Sequence, residues 1–518
     1  MGSKQRRSIA VPTAIRAAFP GILLVMFLGA LDQTVMAAAL PTVAGDLRGW
    51  DQMPTILTAY LVAATAAMPL TGKLGDAFGR KLVLQASLIL FVVGAVLCGL
   101  AQSVPQLIVF RAVQGIGGGG LMIGAQAIIG ELVSPRERGR FLGIIGVAYI
   151  AAAVVGPLAG GAVVDSLSWR WIFYGYVPVG LTALAVVSRG LHLPAPPRGR
   201  RIDYGGAALL GLTTVAIILL CSVGNYAAPP WLVPVLAAVA AASVAGWVLT
   251  ARLVSDPIVP LSLFRDPAFT IPTAISFLLG FAMFAAVSYL PAFLQVGMGL
   301  SATASGAMLI ALVTSILLTM AASGLLITRS GRYKQYPVTG TLLAVPGMWL
   351  FSTLDSTSSL LLVLVAMLLL GLGIGLIMQV MVLVVQNSVE LRNLGAATST
   401  VIFLRQVGSS VGVAVLGSLI TVRFADAVPA GLTAELGDRI NSLTPKMLAE
   451  LPAADRSAVA AAFGQALPPA FGYAAVVLAI AFVLTLCLPE RELRTMAHSD
   501  SGQGISHPNP RPQGDSDD

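Results

Sequence analysis

Asp32 stands in the middle of "LGALDQTVMAAALP" (28–41), inside an apolar run that begins near Phe19. A carboxylate surrounded by hydrocarbon is costly and marks a partner or a task. Arg111, in "LIVFRAVQGIGGGG" (107–120), is a second such group, always charged and again inside an apolar run. Residues at the ends of apolar runs apart (Glu131, Asp165, Asp203, Glu390), Asp32 is the only carboxylate within them. An acid caught between a desolvating environment and a guanidinium can bind and release a proton as its surroundings change. The plainer alternative is a fixed ion pair between Asp32 and Arg111 that only holds two helices together. Arg405 is a third charge inside an apolar run, read evenly as packing or as cavity lining. Tyr60, Gln114, Gln126, Tyr149, Tyr289, Gln295, Gln379 and Gln406 are further polar groups in apolar surroundings. Each is either cavity lining or a helix-to-helix hydrogen bond.

Other chemistries lack their residues. The three histidines, His192, His498 and His507, fall in loops or the tail without metal-ligand spacing, so no metal site is expected. Cys98, Cys221 and Cys487 lie in apolar runs and form no disulfide pattern. No GxxxxGK[ST] phosphate loop occurs, so ATP is not the expected energy source. Neither an enzyme nor a bound cofactor is expected.

The elements that carry these residues follow from composition. Of 518 residues, 57% are hydrophobic and 10% charged, against about 25% charged in soluble domains. Each span needs roughly 20 apolar residues. Fourteen all-α spans are predicted, near 19–41, 52–71, 82–101, 105–130, 141–164, 171–190, 205–223, 230–252, 269–296, 303–328, 336–353, 359–386, 395–421 and 470–488. Lys and Arg concentrate on one side, twenty-three in the segments that share a side with the N-terminus and six in the opposite loops. The excess assigns both termini to the cytoplasm. It also explains the net charge of +8 without nucleic acid. The one long outer loop, 422–469, has the spaced charges of one or two amphipathic helices. The tail after Pro489 reads as disordered.

Two strings repeat. "SPRERGRFLGIIGVAYIAAAVVGPLAGG" (134–161) and "VELRNLGAATSTVIFLRQVGSSVGVAVLG" (389–417) each pair a charged loop with a Gly-spaced helix. "GKLGDAFGRK" (72–81) has a weaker counterpart in "SGLLITRSGRYK" (323–334). Repeats across two halves are the mark of transporters whose substrate binds between them. The division that follows is a six-helix bundle at 1–190 and two extra helices with flanking loops at 191–268. A second bundle covers 269–488, including loop 422–469, and a tail covers 489–518.

At these motifs the chain resembles a known family. "GKLGDAFGRK" resembles the loop 2–3 signature of the major facilitator superfamily, "LIVFRAVQGIGGGG" its helix-4 motif, and "GVAYIAAAVVGPLAGG" (146–161) its helix-5 antiporter motif. "LDQTVMAAALP", "WRWIFYGYVPVG" (169–180) and "DPIVPLSLF" (256–264) resemble the fourteen-span drug:proton antiporter-2 group. One departure is Ala37, where the helix-1 motif usually has Asn.

The resemblance implies a major facilitator fold with two pseudo-symmetric six-helix bundles and two helices inserted between them. It implies a proton-coupled exporter of amphipathic drugs or related lipophilic compounds. The alternative is a dedicated exporter of an endogenous lipid, siderophore or antibiotic. Asp32 and Arg111 would couple protons. Gly72, Gly75, Asp76, Gly79, Arg80 and Lys81 would form a cytoplasmic latch. Gly146, Gly156, Pro157, Gly160 and Gly161 would place helix 5 at the contact between bundles. The expected partners are amphipathic substrates, protons and membrane lipids. A monomer is expected, with loop 422–469 free to meet an envelope partner. Arg outnumbers Lys 26 to 5, and Ala and Gly abound, which suggests a high-GC bacterium and its inner (plasma) membrane.

Overall fold

The computed structural model describes residues 13–47, 53–193, 203–222, 229, 231–300, 302–428 and 452–493. Its regular elements are helices. In the first half these are α1 (Thr13–Asp46), α2 (Met53–Phe78), α3 (Arg80–Leu100), α4 (Val104–Leu132), α5 (Pro135–Ser166) and α6 (Arg170–Gly190). A pair follows, α7 (Tyr204–Ser222) and α8 (Leu232–Leu253). The second half holds α9 (Pro267–Ala292), α10 (Ala302–Ser330), α11 (Gln335–Ser352), α12 (Leu360–Ser388), α13 (Leu394–Ala427), α14 (Ala453–Ala466) and α15 (Pro468–Leu486).

Twelve stretches among the described residues are long and apolar enough to cross a membrane. They fall on α1–α4, α6–α10, α12, α13 and the α14–α15 stretch. The remaining long helices, α5 and α11, pack among them: α5 lies on α1 and α10, and α11 on α12 and α15. Large apolar side chains such as Leu82, Val109, Trp171, Leu253, Trp349 and Leu361 point outward. A helix apolar on every face needs hydrocarbon outside as well as protein inside.

The packing plan repeats. In the first half α2 packs on α4, α3 on α4 and α6, and α1 on α4, α5 and α6. In the second half α10 packs on α12, α11 on α12 and α15, and α9 on α12, α13 and α15. Each set maps onto the other with α9–α13 and α15 standing for α1–α6. Each half has its own apolar core, centred on residues such as Leu88, Phe91 and Phe173 in the first and Phe351, Ile374 and Phe471 in the second. The halves meet along two seams, α2 against α13 and α5 against α10, which exchange under the same mapping. A third apolar cluster, including Met68, Ile123, Val385, Leu394 and Val401, fills the α2–α13 side. The inserted α7 lies on α2 and α13, and α8 packs on α7.

Several helices run past the expected spans, as α1 does from Thr13 to Asp46 and α2 to Phe78. Helix α13 runs to Ala427, past the expected end at 421, because "ITVRFADA" continues without a Pro or Gly breaker and Phe424 packs on Phe463 of α14. Within the outer loop, 453–466 is helical, while 429–451 lies outside the described residues. The tail expected to be disordered lies outside them from residue 494 onward.

Candidate functional site: a buried ion pair and a seam between bundles

The glycines of α4 set up the first site. Within "GIGGGG", added Cβ atoms on Gly115, Gly118 and Gly119 would strike Tyr60 or Ala64 of α2, and those on Gly117 and Gly120 would strike Phe91 or Ser87 of α3. Two helices therefore approach α4 closely from two sides. One turn before this run, Arg111 is buried and its guanidinium lies 4.4 Å from the centre of the Tyr60 ring.

Arg111 Nη1 donates to Asp32 Oδ1 at 2.8 Å and Oδ2 at 3.0 Å, and to Gln114 Oε1 at 2.9 Å. Gln114 Nε2 donates back to Asp32 Oδ1 at 3.1 Å, and the Cys98 thiol donates to Gln114 Oε1 at 3.6 Å. Asp32 is 0% exposed and Arg111 1%. A buried pair of this kind gains only where remaining polar atoms are satisfied. Here the closure is incomplete, because Arg111 Nε has no acceptor among the described residues. The hydroxyl of Tyr176 on α6 lies near the Asp32 carboxylate. Tyr176 was not singled out in the sequence; its only signal there is its place in "WRWIFYGYVPVG".

Beside the pair is a narrow cavity of about 30 Å³, lined in part by Gln33, Tyr60, Met122 and Tyr149. That is room for about one water. A drug-sized site is about 300 Å³ or more, so a molecule of that size does not fit the cavity as it stands. Of the polar groups considered from sequence, Tyr60 and Tyr149 line this cavity. Gln114 is instead tied into the ion pair. Tyr289 donates to Val413 O at 2.7 Å, a bond inside the second bundle. Gln126 accepts through its backbone from Gln386 at 3.3 Å near the end of α4. Gln379 lines a separate small cleft with Met320 and Ser323. Gln295 sits in the π-helical turn Phe293–Gly297 that ends α9, and Gln406 is half-buried on α13.

The second site is the α2–α13 seam. Asp76, near the end of α2, accepts from Gly395 N and Ala396 N at 2.9 Å each, so a carboxylate of one bundle caps a helix of the other. Backbone donors at a helix N-terminus favour an anion. Arg80 donates to Asp76 Oδ1 at 2.7 Å, to Glu131 Oε2 at 2.6 Å and to Leu391 O at 3.0 Å. It can fold back because Gly79 has φ 99°, a conformation that favours glycine. Gly72 and Gly395 face each other; a Cβ on Gly72 would lie 2.6 Å from Gly395 O. Gly75 leaves ordinary contact room, 3.4 Å, for the stem of Arg80. Lys81 acts elsewhere, donating to Ser188 O at 2.8 Å within its own bundle. Sequence reasoning missed Glu131, Leu391 O and Gly395 as members of this network. It also missed Lys73, buried and paired with Asp256 in the segment after α8.

The helix-5 motif divides its glycines between two neighbours. Gly146 faces Met320 of α10 across the second seam. Gly156 and Gly160 face Thr34 and Val35 of α1, in the same bundle. Thr34 Oγ1 donates to Ala152 O at 2.9 Å at that contact. Gly161 has nothing within 4 Å. The first part of α5 therefore faces the other bundle and the part around Gly156 and Gly160 faces its own, because α5 crosses from one neighbour to the other along its length. The helix continues through residue 157, and the side chains of Pro157 and Ala37 lie outside the described set.

Comparison with known proteins decides what this frame is. The family model of the Major Facilitator Superfamily matches residues 22–413. The chain belongs to the major facilitator superfamily. A relative named as an uncharacterized MFS-type transporter of Mycobacterium tuberculosis is 36% identical over 515 residues, covering 96% of this chain and 75% of its own. The multidrug transporter protein MdtP of Bacillus subtilis is 34% identical over 405 residues, covering 78% and 75%. Multidrug resistance protein 3 of the same organism is 29% identical over 490 residues, covering 92% and 96%. Among solved structures, the proton:xylose symporter XylE aligns with TM-score 0.65 at 13% identity, covering 95% of this chain and 99% of that one. The fucose:proton symporter FucP of E. coli aligns with TM-score 0.60 at 13% identity, covering 92% and 100%. These structures share the fold. The protein is thus a multi-pass membrane transporter, related to multidrug efflux proteins, and not an enzyme.

Proposed function

We propose that this major facilitator protein is a proton-coupled antiporter that exports amphipathic compounds by alternating access. The observation that carries the reading is Asp32. It is a wholly buried carboxylate, bonded to Arg111 and Gln114 and adjacent to a cavity between helices. Such a group holds a proton in one arrangement and releases it in another when the arginine or water approaches. Separation of the bundles changes both. The α2–α13 seam supplies the bistable element, since its bonds exist only while that end is closed. On this reading α5 and α11 are the thirteenth and fourteenth spans, both termini are cytoplasmic and the membrane is the bacterial inner membrane.

The energetics suffice. A proton entering down ~100 mV yields about 2.3 kcal/mol, and each pH unit adds about 1.4 kcal/mol. Together they sustain a gradient of roughly 500-fold for a neutral solute.

The test is Asp32→Asn in inverted vesicles with an imposed pH gradient. Gradient-driven transport of each dye the wild type moves, from a set of anionic, neutral and cationic amphipathic dyes, is expected to fall to background while the purified protein stays monodisperse. Wild-type rates in the variant would remove the coupling role.

A further inference from the structure

Three charged side chains lie deep in the spans, and their charges do not cancel. Asp32 and Arg111 neutralise each other. Arg405, on α13, is 5% exposed. Among the described residues it makes no ion pair, and its guanidinium donates no hydrogen bond. Its stem packs on Gly280 of α9, where a Cβ would lie 3.2 Å from Arg405 Cγ. Its head is within electrostatic reach of Tyr149 on α5, in the other bundle, and Tyr149 lines the cavity beside the Asp32 pair. The second bundle thus presents an uncompensated guanidinium toward the interface through which cargo would pass. A desolvated arginine requires either a carboxylate or a backbone acceptor nearby. Here the one mid-span acid is already taken by Arg111. Guanidinium is also the side chain best shaped to hold a carboxylate or phosphate through two parallel bonds.

We infer that Arg405 is an anion-binding site, and that the cargo is an amphipathic monoanion whose acidic group meets Arg405 while its apolar part lies against the cavity wall near Met122 and Tyr149. The inference rests on the exporter reading and narrows it. The charge balance has a consequence. Exchange of an inward proton for an outward monoanion carries net positive charge inward, so transport accelerates with an interior-negative potential. Exchange for a monovalent cation is electroneutral.

The experiment holds the tail constant and varies the head. Binding of 11-dansylaminoundecanoic acid, its methyl ester and the amine of equal length is measured by fluorescence on full-length protein in phosphatidylcholine nanodiscs. The wild type is expected to bind the acid at least about tenfold tighter than ester or amine. Arg405→Gln should erase that preference while leaving ester binding in place, and Arg405→Lys should keep part of it. Equal binding of acid and ester by the wild type overturns the inference, as does an intact preference in Arg405→Gln. If Arg405→Gln does not fold, the wild-type ratio and the Lys variant still decide. Adding phosphatidylglycerol identifies the source of the anion: displacement of the acid assigns the site to lipid headgroups, and undiminished binding assigns it to free amphipathic acids. Failure of the exporter reading is seen separately. In that case Asp32→Asn leaves gradient-driven transport unchanged, whatever the acid does.

Discussion

In the first bundle the buried guanidinium, Arg111, is closed by Asp32 at 2.8 Å and by Gln114 at 2.9 Å. In the second bundle the buried guanidinium is Arg405, on the counterpart of α5 and not of α4, and it has neither kind of partner among the described residues. The two seams differ in the same way. At α2–α13 a carboxylate caps a helix and a buried arginine joins two acids and a carbonyl. At α5–α10, among the described residues, Arg136 reaches only the carbonyls of Thr328 at 3.2 Å and Arg329 at 3.4 Å. The loop after α10 keeps the hinge, Gly331 at φ 71°, but its Arg332 is exposed. Apolar packing tolerates many sequences as long as volume and small-residue contacts are kept. Buried charge does not, because each ion needs its own partners. A duplicated scaffold can therefore keep its shape while its charges are distributed to different tasks.

The sharpest way to break this contrast is to separate pairing from coupling in the first bundle. Asp32→Asn leaves Arg111 buried without its carboxylate, a loss of about 3–5 kcal/mol. Adding Arg111→Gln should recover most of the thermal stability and none of the gradient-driven transport. Transport by the double variant would reduce the pair to a structural link. Next in size is the carboxylate cap. Asp76→Ala should shift the open–closed balance at that end by about 3 kcal/mol, roughly a hundredfold. Spin-label distances between the ends of α2 and α13 would show it as a broadened, longer distribution. Gly72→Ala meets Gly395 O at 2.6 Å and Ser399 Oγ at 2.5 Å. Overpacking of this kind costs about 1–3 kcal/mol, so the same distances should lengthen less.

The α5–α10 seam should respond least of the two. Arg136→Ala removes bonds to carbonyls at a partly exposed site, worth about 1 kcal/mol. A distance change equal to that of Asp76→Ala would show that the seams are equivalent after all. Smallest of all is the staple between α1 and α6. Trp169 Nε1 donates to Asp46 Oδ2 at 2.8 Å, and Arg170 Nη1 donates to the same oxygen at 3.1 Å. The Trp169 bond first, and Arg170 second, hold the Asp46 carboxyl below its ordinary value of 3.8. A depressed carboxylate contributes stability above its unfolded pKa, and the contribution is lost as pH falls through the folded value. Asp46→Asn should therefore leave the melting temperature near pH 7 almost unchanged, since the group is exposed and screened. It should flatten only the acid limb of the stability profile.

Much of the fold was legible because hydrocarbon imposes a simple rule: a span is about 20 apolar residues. The same rule places α5 and α11, at the spans expected near 141–164 and 336–353, although α5 carries "PRERGR" at its start and α11 is only 18 residues long. Asp32 and Arg111 were legible for the same reason, as charges where charges are expensive. Glu131 and Lys73 were not, because a Glu or Lys near a helix end is ordinary until its neighbours are known, and neither was Tyr176, because a Tyr within an apolar helix is ordinary too.

By itself, the sequence determined the membrane class, the helices, the repeat of the two halves and the rarity of mid-span charge. All of these follow from local composition and from spacing along one chain. Only the tertiary structure decided which charges meet. Asp32 and Arg111 are 79 residues apart, and Asp76 and Gly395 are 319 apart. Arg405, on α13, is left beside an interface without a counter-charge among the described residues. Whether an ion in the membrane is satisfied depends on atoms within about 4 Å of it, and those come from helices that only packing brings together.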